Sequence, residues 1–442
     1  MTPKKLLPLV VIFVVLAVSY LASQWYQARQ QRRDQEAKKL FSVKEADISE
    51  ITLKKGQQEI RLVRREQGWE LVTPLKAKAD KAAVDSLLAA LSFLEKDRDL
   101  GEHKDLAPFG LTTPALIVEF TAQEKKHQLA VGSKTPGDRG YYVLRDQQPH
   151  LFTISSYNKD SLDRSLSALR DKTLFQFAVD QVTGLKVTLG SLKAELRKSN
   201  GTWHWEGRHN FKVRRDRLES LLRQLTMTRI RDFVQEHPKH LRPYGLSPRP
   251  TAEVAVLLPQ GQQRLLLGNK KDNTYYAHSP GGPVVLVEED LLKKLKQSLA
   301  SLEDRRFWTG DTTTVTRLSW GPPGKLWTAL KDKDFFAITG PDKQSLRQPA
   351  VRLEVALLKF QELEQERPHT AAVTAPPQFI LEFSDKEGRL GGRLEELGKT
   401  DKDKVILRWQ TGSQTVTAAV SQAAYDQLRQ DLDRLTQPPE KK

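Results

Sequence analysis

The sequence predicts an α+β protein: a tandem repeat of about three similar small domains, each an antiparallel sheet with two helices, after an N-terminal transmembrane helix. Three observations predict it. Landmarks return at near-constant spacing: Trp69 as Trp203, VDSLLAAL (Val84 to Leu91) as LESLLRQL (Leu218 to Leu225), and Tyr141-Tyr142 as Tyr275-Tyr276, each 134 residues on. PFGL (Pro108 to Leu111) returns as PYGL (Pro243 to Leu246) after 135. Such a period marks repeated domains. Within each period, short alternating apolar runs and turn residues surround one helical stripe, which favours hairpins over a parallel doubly wound sheet. Finally, Leu6 to Ala22 is 17 residues without a charge, at the short end for a bilayer span.

The boundaries follow. Residues 1–26 read as a signal anchor, 27–42 as a basic juxtamembrane stalk, 43–177 as repeat 1, 178–310 as repeat 2, 311–436 as a divergent repeat 3 and 437–442 as a disordered tail. Trp25 and Tyr26 follow the apolar run where an interfacial aromatic belt belongs. The third copy is fainter. Leu357-Leu358 stand 270 residues after Leu87-Leu88, and TVTAAVSQAAYDQL (Thr415 to Leu428) is similar to LFTISSYNKDSL (Leu151 to Leu162), but no Pro-aromatic-Gly-Leu turn appears where a third is due.

Each repeat opens with a meander. Ile51 to Leu53 and Ile60 to Val63 alternate as half-buried strands, with turns at Lys55-Gly56-Gln57 and Gln67-Gly68. In repeat 2, Asn200-Gly201 is a hairpin signal; in repeat 3 the turn falls at Gly321 to Gly324. A helix follows, with Val84, Leu87, Leu88 and Leu91 at i, i+3, i+4 and i+7 and Asp80 as its N-cap. Leu218, Leu221, Leu222 and Leu225 repeat that stripe. The Pro-aromatic-Gly-Leu turn needs a glycine of positive φ, an inward aromatic and a leucine that starts the next strand. The strands Ala115 to Ala122, and His127 to Gly132 ending at its glycine, come next, then the tyrosine pair, a strand near Leu151 and a closing helix over Leu162 to Leu169. Repeat 2 runs the same way to a closing helix over Leu291 to Leu302.

The absence of cysteine excludes disulfides, thiolate metal sites and cysteine nucleophiles. The chain has no GxxxxGK[ST] loop, no HExxH and no GxSxG. His237 and His240, parted by a proline and a lysine, read as loop histidines rather than a metal pair. Trp69, Trp203 and Trp205 read as core anchors rather than sugar platforms. No catalytic, cofactor or metal residue is therefore assigned. The net charge of +16 is uneven: residues 178–310 hold 23 basic against 14 acidic side chains. Arg214, Arg215, Arg217, Arg223 and Arg229, on the face opposite the second leucine stripe, form a candidate surface for an anionic partner. Aromatic residues are not interleaved with them, and nucleic acid is not an expected partner.

A basic head and apolar anchor, then GWEL (Gly68 to Leu71), DSLLAAL (Asp85 to Leu91), DLAPFGL (Asp105 to Leu111), VGSKTP (Val131 to Pro136), YYV (Tyr141 to Val143) and LRDKTLF (Leu169 to Phe175) together form a pattern. It resembles a bacterial envelope family, domain of unknown function 4340, most closely over residues 43–310. That resemblance implies a membrane-anchored protein often encoded beside an ABC-type transport system related to gliding-motility components. It carries over no catalytic residue. The expectation is a non-enzymatic, single-pass inner-membrane protein, held in the bilayer through residues 6–22 with its bulk extracytoplasmic. It would act as a scaffold or accessory for transport-complex subunits. The competing expectation is an envelope glycan- or anionic-lipid-binding module.

Overall fold

The computed structural model of the chain describes residues 20–21, 23–26, 30, 36–137, 139–368, 375–400, 403–412 and 414–437. Among the described residues, no helix is long and apolar enough to cross a membrane. The expected span over Leu6 to Ala22 lies outside them except for Tyr20 and Leu21, as do half of the stalk and the tail after residue 437.

The described strands form three antiparallel sheets. The first contains β1 (Ile48–Lys55), β2 (Gln58–Arg65), β3 (Gly68–Thr73), β4 (Ala77–Lys78), β5 (Arg98–Glu102), β6 (Leu116–Ala122), β7 (Lys125–Lys134), β8 (Gly140–Arg145) and β9 (His150–Ser155), in the order β4-β3-β2-β1-β6-β7-β8-β9-β5. The second contains β10 (Gly184–Leu189), β11 (Leu192–Ser199), β12 (Thr202–Trp205), β13 (Asp232–Gln235), β14 (Ala252–Leu258), β15 (Gly261–Lys271), β16 (Thr274–His278) and β17 (Val284–Glu288), in the order β12-β11-β10-β14-β15-β16-β17-β13. The third contains β18 (Arg317–Gly321), β19 (Trp327–Asp332), β20 (Phe335–Thr339), β21 (Ser345–Pro349), β22 (Arg367–Pro368), β23 (Phe379–Ser384), β24 (Leu390–Thr400), β25 (Lys404–Thr411) and β26 (Gln414–Ser421), in the order β21-β20-β19-β18-β23-β24-β25-β26-β22.

Counted from its own first strand, the third sheet has the order of the first, and the second differs only by lacking the short fourth strand. The register slips at the same place in each: between Val131 and Lys134, between Leu267 and Lys270, and between Glu396 and Gly398. A bulge both bends a strand and re-aims its side chains. The strand expected to stop at Gly132 instead runs on through the bulge to Lys134, as its counterpart runs through Gly268 to Lys271.

The helices are α1 (Lys81–Ser92), α2 (Ser156–Leu162), α3 (Leu166–Leu169), α4 (Arg215–Met227), α5 (Asp290–Ala300), α6 (Ala350–Gln361) and α7 (Gln422–Leu435). Asp80 caps α1, its carboxylate accepting from Ala83 N–H at 2.9 Å. The closing helix expected over Leu162 to Leu169 is displaced and broken. Ser155 starts α2 and Ser165 starts α3, each accepting from a backbone N–H three residues on, so two caps within one stretch interrupt a single helix.

Residue contacts divide the chain into two compact units: Met1–Gln176, Leu225–Thr251 and Leu265–Glu289 form one, and Phe177–Gln224, Ala252–Arg264 and Asp290–Lys442 the other. In the first, Val84, Leu87, Leu88 and Leu91 of α1 pack with Ile51, Leu53, Leu62 and Leu71 of the meander and Val118, Phe120, Leu129 and Val131 of β6 and β7. Each fully buried leucine contributes about 2 kcal/mol. The opposite sheet face carries a small cluster of Leu111, Leu144 and Leu151. Leu111 plugs that cluster instead of starting β6. In the second unit, the core around the third sheet is aromatic, with Trp320, Phe336, Phe360, Phe383, Trp409 and Tyr425.

Candidate functional site

Two short segments, Leu169 to Thr173 and Leu302 to Arg306, follow the closing helices of the first two repeats and pair on both sides. On one side of the first, Asp80 N–H donates to Leu169 O (2.9 Å) and Asp171 N–H to Lys78 O (3.0 Å). On its other side, Ile230 N–H donates to Lys172 O (2.8 Å), and Thr173 bridges Arg229. The second segment repeats this. Arg214 N–H donates to Leu302 O (2.7 Å), Asp304 N–H to Lys212 O (2.7 Å) and Gln365 N–H to Arg305 O (2.8 Å), while Arg306 bridges Glu364. Ahead of the first sheet, Lys96 N–H donates to Lys38 O (2.9 Å), Leu40 N–H donates to Leu94 O (2.8 Å), and Lys39 bridges Glu95. Three joints thus share one backbone pattern.

The five expected arginines serve these joints and α4. Arg214 and Arg217 both donate to Glu364, and Arg305 lies 3.8 Å from the same carboxylate. Arg214 is only 13% exposed, and its charge is met by Glu364 and by Asp216, which accepts from its Nε at 3.1 Å. Arg215 and Arg223 share Glu219, at 2.6 and 3.8 Å. Arg229 bonds Thr173 Oγ1 and stands 4.0 Å from Asp171. In the first joint, Arg170 pairs with Glu236 and lies 3.7 Å from the centre of the Phe233 ring.

Asp304 accepts from Arg306 at 2.8 and 2.6 Å. Burial pushes its pKa up, but the Arg306 hydrogen bonds outweigh that and hold it below the usual value. The ionised form is therefore favoured by folding. Its contribution is present above the ordinary carboxylate value of about 3.9 and fades as pH falls through the depressed one. Asp304→Asn is expected to lose about 1–2 kcal/mol at pH 6 and less at pH 3, where protonation has begun to remove the contribution. Thermal unfolding at both values checks this; an equal loss at both refutes it.

The Pro-aromatic-Gly-Leu turn and the tyrosine pair, distant in sequence, meet. Phe109 packs edge-on against Tyr142 at 4.9 Å, and Tyr244 against Tyr276 at 5.1 Å. Gly110 and Gly245 take φ +65° and +68°, as the turn demands.

Sequence reasoning missed a ladder of half-exposed ion pairs beside the second strand hairpin of each repeat. Lys54 pairs with Glu119 at 2.8 Å, Arg264 with Glu253 at 2.6 Å and Arg393 with Glu382 at 3.2 Å. Each glutamate faces a hydroxyl residue across the sheet: Thr52, Thr188 and Ser319. The available signal was a glutamate inside an otherwise apolar strand, in LIVEF, AEVAV and ILEFS. Beside Glu119 lies a polar cavity of about 340 Å³ lined by Glu50, Thr52, His127, Gln128 and Asp146. His127 Nδ1 is 3.4 Å from Asp146, and its ring stacks on Phe120 at 5.1 Å. A second polar cavity, about 580 Å³, touches Lys212, Asp304, Arg305 and Gln365 of the second joint. Among the described residues, no group of three or more His, Asp or Glu side chains is arranged to hold a metal. His237 and His240 are exposed.

A family model described as a domain of unknown function (DUF4340) matches residues 69–206 and 203–376. The two matches begin at Trp69 and Trp203, one repeat apart. No curated protein matches the chain. Among solved structures, the Pseudomonas aeruginosa DNA polymerase sliding clamp with ligand aligns at 9% identity over 85% of this chain and 91% of its own, with TM-score 0.13. DNA polymerase III subunit beta from Borrelia burgdorferi aligns at 10% identity over 89% and 96%, also with TM-score 0.13. Likeness this slight carries nothing about fold or function.

Proposed function

The chain belongs to the DUF4340 family, and on that premise we propose that it is a non-enzymatic, membrane-anchored extracytoplasmic scaffold or accessory protein of an envelope ABC-type transport or gliding-motility-like system. It is three copies of one domain behind an anchor over Leu6 to Ala22. The observation that carries this reading is the strand order repeated in three sheets, with paired joints of one pattern. Repetition multiplies similar edges and faces along one chain, which suits assembly rather than a single reaction centre. Tyr20, Leu21, Trp25 and Tyr26 are exposed, as side chains at a membrane surface would be.

The arginines of the middle repeat favour the scaffold over the glycan- or lipid-binding module. Arg214 and Arg217 are committed to Glu364, and Arg215 and Arg223 to Glu219. The test is purification of the tagged full chain from its native membranes in mild detergent. An ATPase and a permease are expected to co-purify at moderate salt. Retention of envelope glycan or anionic lipid in low salt only, with no transporter subunit, would overturn the reading. A reporter fused at the C-terminus should be active only outside the cytoplasm.

A further inference from the structure

Helix α6 is apolar on two opposite sides. Leu353, Ala356, Leu357 and Phe360 are buried in the core. Val351, Val355 and Leu358 are 61%, 45% and 49% exposed. At about 100° per residue they fall within about 60° of one another, diametrically opposite the core face. Matching the helices by their buried residues places Ala82, Ser86 and Ala89 at these outer positions in α1, and Asp216, Ser220 and Arg223 in α4. The outward apolar stripe thus belongs to the third repeat alone. A single exposed leucine means little; three aligned against a complete core face mean a second packing surface.

The spacing says what fits it. Steps of four and three residues make Val351, Val355 and Leu358 the d, a and d positions of a heptad. Valine at a and leucine at d suit a parallel two-stranded pair. In that register Glu354 is a g position and Lys359 the e position five residues on. In a parallel pair, Glu354 of each copy faces Lys359 of the other, twice by symmetry. An antiparallel pair would set Glu354 against Glu354 and Lys359 against the like-charged Arg352. The present partners are surface contacts, Glu354 with Lys331 at 3.9 Å and Lys359 with Glu362 at 2.8 Å, weak enough to exchange.

We propose that α6 docks against α6 of a second copy of this chain as a parallel helix pair. Three side chains per copy cover much less than the roughly 800 Å² per partner of a stable complex, so the contact is weak and concentration-dependent.

The absence of cysteine makes the test clean. Full-length single-cysteine variants are oxidised in native membranes and read on non-reducing gels. Val355→Cys and Leu358→Cys are expected to give disulfide dimers well above Phe93→Cys, although that site is more exposed, at 63%. In the Val355→Cys chain, Glu354→Lys or Lys359→Glu should each cut dimer yield about fivefold, and the two together should restore it. Dimers no more abundant than with Phe93→Cys overturn the proposal. So do dimers formed only between Val351→Cys and Leu358→Cys chains, adducts with another protein alone, or charge reversals without rescue.

Discussion

Replacing Glu364 with alanine is expected to destabilise the protein by about 2 kcal/mol. Glu364 accepts from Arg214 and Arg217, with Arg305 close by. Its removal leaves the nearly buried Arg214 with the more exposed carboxylate of Asp216, 3.1 Å from its Nε. Breaking a buried pair so that a charge is left alone costs about 3–5 kcal/mol, and the remaining Asp216 contact and the partial exposure of this site bring the loss below that range. Glu364→Gln keeps an acceptor and should lose roughly half as much. Denaturant unfolding measures both. Backbone hydrogen exchange should quicken at Asp304 and Gln365, whose N–H groups pair in this joint. A loss below about 1 kcal/mol for Glu364→Ala would show that the arginines find other partners.

Gly245→Ala is expected to lose about 2–3 kcal/mol for two separable reasons. The backbone sits at φ +68°, which costs a residue with a Cβ about 1 kcal/mol. The new Cβ would also run into the side chain of Asn269 and lie 2.8 Å from its backbone nitrogen. Gly207→Ala separates the two: at φ +79° with nothing within 4 Å of the added carbon, it carries strain alone and should lose about 1 kcal/mol. Equal losses at the two sites would remove steric crowding from the account.

Much of the fold was legible because its determinants are side chains at fixed spacing. Leu218, Leu221, Leu222 and Leu225 are buried as their stripe requires. Asn200 and Gly201, both at positive φ, turn β11 into β12. The faint third copy has its full strand order despite lacking the tyrosine pair, since alternating apolar residues suffice to hold a sheet together. The joints were not legible as joints. LRDKTLF was visible as a motif, but its backbone hydrogen bonds have no side-chain signature. Likewise the arginines of α4 read as an open basic face. Glu364, which accepts from Arg217 of this helix and from Arg214 just before it, stands about 150 residues away. The closing helix was misplaced because serine caps, which act through one hydrogen bond, override a run of apolar residues.

The pairing of Lys38 and Leu40 with Lys96 and Leu94 fastens the chain entering the first sheet to the exit of α1. Swivelling at residue 38 must break two backbone hydrogen bonds, each worth about 1 kcal/mol. A pull applied at residue 38 is therefore borne by the exit of α1 and its leucine core.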